Sequence, residues 1–173
     1  MDVELTHNLT DENTLESTLV KIVSAEDYRR LTSGDKPFCE RGVEEKRDDG
    51  SYACIRTKTE SIGSVRGKLK IDDSTTIEHR DDGLVHMSID LVELTKEWAP
   101  RKEIVDEQML AMMARDYAGH SATISIGGKA IVETNGTLSE DGKTAAFTIP
   151  FYELVTGKLD LPPSFDALVE PGR

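Results

Sequence analysis

The chain has 173 residues, of which 37% are apolar and 31% charged, enough for one domain with a proper core and short for two. Its 33 acidic residues outnumber 21 basic ones, and the resulting net charge of −12 repels phosphate backbones and anionic lipid surfaces, which argues against nucleic-acid binding. The longest apolar runs, such as Leu19-Val20 and Ala130-Ile131-Val132, fall far short of the roughly 20 residues that a membrane-crossing helix needs.

Met1 is followed directly by Asp2-Val3-Glu4-Leu5, without the basic stretch and apolar core of a leader, so the chain reads either as cytosolic or as a mature sequence already stripped of one. Val3, Leu5 and Leu9 begin an alternating strand, Asp11-Glu12-Asn13 is a polar turn, and Leu15 to Val23 returns as a second strand. Ser24 then places a capping hydroxyl ahead of Glu26 and Asp27, predicting a short helix through Leu31 that stops near Ser33-Gly34. Val43 to Arg47 and Ser51 to Thr59 flank Asp48-Asp49-Gly50, and Thr75 to Arg80 and Leu84 to Leu91 flank Asp81-Asp82-Gly83. With Glu140-Asp141-Gly142 these make three acidic-acidic-glycine turns, each supplying the positive-φ residue of a tight hairpin.

Lys102 to Tyr117 reads as the one long helix, with Val105, Met109, Met112 and Asp116 on one side and Met113 and Tyr117 beside them. Thioethers are flexible and polarizable, so Met109, Met112 and Met113 suit an adaptable apolar cavity as well as plain packing on a sheet. Gly119 ends the helix. Ala122, Ile124 and Ile126 then alternate with Thr123 and Ser125, and Ala145, Phe147 and Ile149 alternate with Ala146 and Thr148, giving two half-buried strands. Pro150 to Val155 is a further short helical turn, and Leu161-Pro162-Pro163 opens a C-terminal tail over 161–173, whose Phe165, Leu168 and Val169 dock back on a single domain spanning 1–160.

No chemical signature interrupts these elements. The acidic turns lack the ligand spacing of an EF-hand, and His7, His79, His86 and His120 are scattered, reading as solvent-facing strand residues with His79 and His86 able to face each other across the Asp82 turn. There is no Gly-x-Ser-x-Gly elbow, and Gly63-Ser64-Val65-Arg66-Gly67 lacks the lysine-hydroxyl pair of a phosphate loop. Asp72 and Asp73, adjacent on a strand, point to opposite faces and do not converge. No catalytic residue, metal site or cofactor is expected. Cys39 and Cys54 leave two readings open: two buried thiols, or a disulfide closing a loop of about 15 residues, which contributes on the order of 3 kcal/mol.

The run Gly119-His120-Ser121-Ala122-Thr123-Ile124-Ser125-Ile126, then Gly128 to Leu138 with Thr134-Asn135-Gly136, then Glu140-Asp141-Gly142-Lys143-Thr144, resembles the LppM-type domain of bacterial envelope lipoproteins. Ile149 to Leu154 and Gly157 to Pro162 are similar to the end of small lipoproteins from Gram-negative bacteria, including alphaproteobacterial ones. Phe38-Cys39-Glu40 and Tyr52-Ala53-Cys54 are similar to the two cysteine segments of their mature chains. The resemblance implies an oxidising envelope location, a disulfide between Cys39 and Cys54, and a lipid anchor preceding Met1 as the sole attachment to a membrane.

These observations predict an α+β fold: a mainly antiparallel sheet of hairpins, covered on one face by the 102–117 helix, with short helices capping its edges. The expected function is a noncatalytic envelope domain, binding a lipid or other apolar ligand between sheet and helix through Met87, Ile89, Met109, Met112 and Met113. The alternative is an acidic interaction module that docks a basic envelope protein, with binding screened by salt. An enzyme is the least favoured class.

Overall fold

The computed structural model describes residues 1–34, 36–63, 67–96 and 106–172. The chain opens with a long hairpin, β1 (Asp2–Asp11) and β2 (Thr14–Val23), whose Leu9 and Leu15 pair across the strands and are buried. Odd positions of both strands turn inward and even ones outward, the period-2 pattern of a sheet with one buried face. α1 (Ala25–Leu31) follows at once, because the Ser24 hydroxyl accepts from the Asp27 amide at 3.0 Å. β3 (Val43–Lys46) and β4 (Tyr52–Ser61) form the second hairpin, and β4 pairs with β2 along its length.

β5 (Gly67–Lys70), β6 (Thr75–His79) and β7 (Val85–Asp90) make an antiparallel meander of their own. α2 (Leu91–Thr95) then ends the seventh strand one residue earlier than the alternation predicts, because the Asp90 carboxylate accepts from the Glu93 amide at 2.9 Å. α3 (Glu107–Tyr117) is capped in the same way, Asp106 accepting from the Met109 amide at 2.7 Å. β8 (Ser121–Gly127) runs parallel to β1, and among the described residues every other pairing is antiparallel. β9 (Ala130–Thr134), β10 (Thr137–Leu138), β11 (Thr144–Pro150), α4 (Phe151–Val155) and β12 (Ser164–Glu170) complete the chain.

The strands form two sheets. One has seven strands in the order β10-β11-β8-β1-β2-β4-β3, and the other five in the order β5-β6-β7-β12-β9. Val3, Leu9, Leu15, Ile124, Ile126, Ala145 and Ile149 from the first sheet and Ile77, Val85, Met87, Ile89, Phe165, Ala167 and Val169 from the second belong to one buried cluster. The Phe147 and Phe165 rings meet across it at 5.9 Å.

This overturns the expected α+β layout. Of the described residues 48% lie in strands and 18% in helices, and what covers the first sheet is a second sheet rather than a long helix. The described part of the predicted helix is the 11-residue α3, which buries only Ala114; residues 102–105 of that prediction lie outside the described residues. Its inward line is set by Ala114 and Tyr117, with Leu110 and Met113 half-buried, one position round from the predicted stripe, and the Tyr117 ring rests 5.8 Å from that of Phe151 on α4. The residues read as a tail carry β12, paired on both sides by β7 and β9 with Phe165 and Val169 fully buried.

The three acidic turns stand where the sequence places them. Gly50, Gly83 and Gly142 take φ of 83°, 82° and 68°, the left-handed region that glycine enters without cost from a side chain. In each, the aspartate before glycine accepts from a backbone amide two residues on: Ser51 at 2.9 Å, Leu84 at 3.1 Å and Lys143 at 3.1 Å.

Candidate functional site

The five residues expected to hold an apolar ligand fall in two places. Met87 and Ile89 lie on the inner face of β7, wholly buried in the core between the sheets. Met109 and Met112 stand outside, 43% and 51% exposed, while Met113 is half-buried. With Asp106, Gln108, Ala111 and Arg115 the two exposed thioethers line an open surface depression along α3.

Cys39 and Cys54 are joined by a disulfide, which excludes the free-thiol reading. Cys54 sits on β4 and is 3% exposed, so the bond pins the connection between α1 and β3 to the sheet. An aromatic cluster seals the same end: the Tyr28 and Tyr52 rings stack at 3.7 Å, and Phe38 meets Tyr28 edge-on at 5.7 Å. The Tyr28 hydroxyl donates to Glu44 at 2.6 Å, and this bond raises its pKa above the ordinary tyrosine value.

His7 departs from the expected solvent-facing role, while His79, His86 and His120 are partly exposed. His7 lies on the inner face of β1 and is 2% exposed, its Nδ1 2.8 Å from the Ser17 hydroxyl and its Nε2 without a hydrogen-bond partner. Burial pushes the His7 pKa below the ordinary value, against the opposing pull of the Asp72 and Glu60 charges. His79 and His86 do not face each other, since His86 pairs with Glu78 and His79 with Val85, which places the two histidines on opposite faces of the meander. His79 Nε2 meets the Glu12 carbonyl at 2.9 Å, while His120 Nδ1 lies 3.3 Å from the Asp2 carboxylate.

His86 instead belongs to a polar basin on the outer face of the five-stranded sheet, lined by Glu78, Arg80, Glu133, Thr134, Asn135, Asp166 and Leu168. Its Nε2 is 3.0 Å from Asp166 Oδ1, and the Ser164 hydroxyl donates to the other oxygen of that carboxylate. Burial works against the Asp166 charge, yet the hydrogen bonds from Ser164 and Ser88 and the nearby His86 hold its carboxyl below the usual range. Serine, histidine and aspartate are thus together, but in the wrong order for nucleophilic catalysis: the hydroxyls spend their protons on the carboxylate, and neither is held by the imidazole. Sequence reasoning missed this basin because its Asp166 and Ser164 lie in the presumed tail. The signal was the alternation of Phe165, Ala167 and Val169 with Ser164, Asp166 and Leu168.

A second depression, of about 820 Å³, opens at one end of the two sheets, with Asp11, Glu12, Asp82 and Glu170 on its wall together with Lys129 and Asn13. Among the described residues no three His, Cys, Asp or Glu side chains converge as metal ligands would, and no helix is long and apolar enough to cross a membrane.

No family model and no curated protein matches this chain. Among solved structures the chain is similar to the folded domain of Mycobacterium tuberculosis LppM, determined by NMR, at 10% identity, over 99% of this chain and 90% of that one, with a TM-score of 0.46. The neighbour bears the family name that the sequence motifs suggest, and at this identity and score the likeness assigns the chain to no family.

Proposed function

We propose that this chain is a noncatalytic domain of the bacterial cell envelope, and that α3 offers its exposed thioethers to a lipid or other apolar ligand. The observation that carries the location is the Cys39–Cys54 disulfide, because such bonds persist in oxidising compartments and are rare in the reducing cytosol. The noncatalytic reading is supported by the basin chemistry, where the serine hydroxyls are committed to Asp166 rather than to a base. The ligand reading rests on Met109 and Met112, adaptable side chains left outside the core.

Thiol trapping in intact source cells, followed by fractionation, tests the location. Cysteines that resist alkylation until reductant is added, in protein recovered with the envelope, are the expected outcome; freely alkylated cysteines in the cytosolic fraction would overturn it. Native mass spectrometry of protein taken from its own membranes tests the ligand, with a lipid adduct expected and its loss expected in the Met109→Gln, Met112→Gln double variant.

The acidic depression favours a second reading, docking of a basic protein, motivated also by the net charge of −12. Contacts of that kind weaken as salt rises. A partner recovered equally at low and high salt would argue against it.

A further inference from the structure

His7 is the one histidine buried in the core, and neither reading above makes use of it. It shares the inner face of β1 with Val3 and Leu9, and its side chain meets the Ser17 hydroxyl on β2 while its Nε2 has no partner among the described residues. Two acidic groups pull on its charge: Glu60, near the end of β4 in the same sheet, and Asp72, in the β5–β6 connection of the other. β5 is the edge strand of that second sheet, and its neighbour β6 is tied to the β1–β2 turn by His79, a second titratable group on the inner face, whose Nε2 meets the Glu12 carbonyl at 2.9 Å.

We propose that His7 is an acid-operated latch: proton uptake by its imidazole inside the core parts the β5–β6 edge of one sheet from the β1–β2–β4 face of the other. An imidazolium sealed among aliphatic side chains lacks the second hydrogen-bond acceptor that it needs, and burying an unpaired charge costs far more than burying the neutral ring. The two carboxylates do not offset this in place, because burial outweighs their attraction in lowering the affinity of His7 for a proton. Asp72 is moreover fixed in its own turn by the Ser74 amide and hydroxyl and the Thr75 amide, all on its Oδ1.

The edge is where relief is cheapest. Gly67, Lys68 and Lys70 are exposed, Leu69 alone packs against the core, and β5 is hydrogen-bonded to a strand on one side only. Strands with few buried apolar contacts open locally at a cost well below that of global unfolding. The β1–β2 hairpin is paired on both sides, by β8 and β4, and stays closed.

Amide hydrogen exchange of the full chain between pH 7.5 and 5 tests the latch, read alongside the ¹⁵N ring signals of His7. After correction for intrinsic rates, β5 and β6 amides should lose protection by up to roughly tenfold per pH unit, the slope of a single linked proton, while β1 and β8 amides do not. His7→Asn, which keeps a partner for Ser17 and cannot take the proton, should abolish that dependence. An equal pH dependence in His7→Asn, or none in the wild-type chain, would overturn the proposal. If the variant fails to fold, the wild-type chain decides: coincident midpoints for ring protonation and edge opening support the latch, and separate midpoints refute it.

Discussion

Asn135 grips the backbone of Asp166 as a neighbouring strand would. Its Oδ1 accepts from the Asp166 amide at 2.8 Å and its Nδ2 donates to the Ser164 carbonyl at 2.9 Å, so a side chain continues the ladder where β9 ends. Thr134 joins in, its hydroxyl donating to the Asp166 carbonyl at 2.8 Å. The Thr134-Asn135-Gly136 segment is therefore the clip that fixes β12 in the sheet and aims Asp166 at His86.

Asn135→Ala removes both hydrogen bonds at once. With each worth about 1 kcal/mol net, it should destabilise the fold by about 1–2 kcal/mol in urea denaturation. Asn135→Asp keeps the acceptor and loses the donor, so its loss should be smaller at neutral pH than that of the alanine variant.

Gly136, next in line, has no room for a side chain. A Cβ there would stand 2.5 Å from Phe165 Cε2 and 2.7 Å from the Ala146 carbonyl oxygen, at the point where the two sheets touch. Gly136→Ala is expected to cost about 1–3 kcal/mol, the range for overpacking a filled core. Gly34→Ala, where nothing lies within 4 Å, is the control and should leave the denaturation midpoint unchanged.

The hairpins were legible because their signals are local: alternation in β1 and β2, and a glycine at positive φ after two acids at each of three turns. The partner of the sheet was not. An apolar face announces that something covers it without saying what, and the methionines near 109–113 made a helix look sufficient. What decided otherwise was β12, whose alternation was masked by the Pro162-Pro163 pair that precedes it. His7 was misread for a related reason: in β1 it occupies an inward position of the same odd series as Val3, Leu5 and Leu9, and the period was visible while the residue type argued for solvent.

The rotated stripe of α3 separates packing residues from surface ones. Met109→Gln and Met112→Gln should each change stability by no more than about 0.5 kcal/mol, as for surface substitutions generally. Tyr117→Ala, which removes the ring packed against Phe151 and the core, should cost about 2–3 kcal/mol. Equal losses from the methionine and tyrosine variants would put the ligand surface back into the core.

Reduction of the Cys39–Cys54 bond frees a loop whose closure is worth about 3 kcal/mol in the chain-entropy model. The Cys39→Ser, Cys54→Ser double variant should therefore unfold at lower urea, with the earliest gain in hydrogen exchange at β3, the exposed edge beside the loop.

Acid should act on this fold in two separate windows. The His7 pKa in the folded chain lies below the ordinary 6.5, so the unfolded chain binds the extra proton first; stability is complete above pH 6.5 and declines as the pH falls toward the folded value. Asp72 and Asp166 act in the same direction but at lower pH: burial alone would raise both, but their hydrogen bonds hold them below the ordinary 3.8, so their contribution persists above that value and is lost as the pH drops through the folded pKa. Urea midpoints measured from pH 7.5 to 2 should show both declines. Asp166→Asn should reduce only the lower one, to which Asp72 still contributes, and His7→Asn should flatten only the upper. If one variant removed both, the two groups would have to titrate as a coupled unit, which their places on the outer face of one sheet and the inner face of the other argue against.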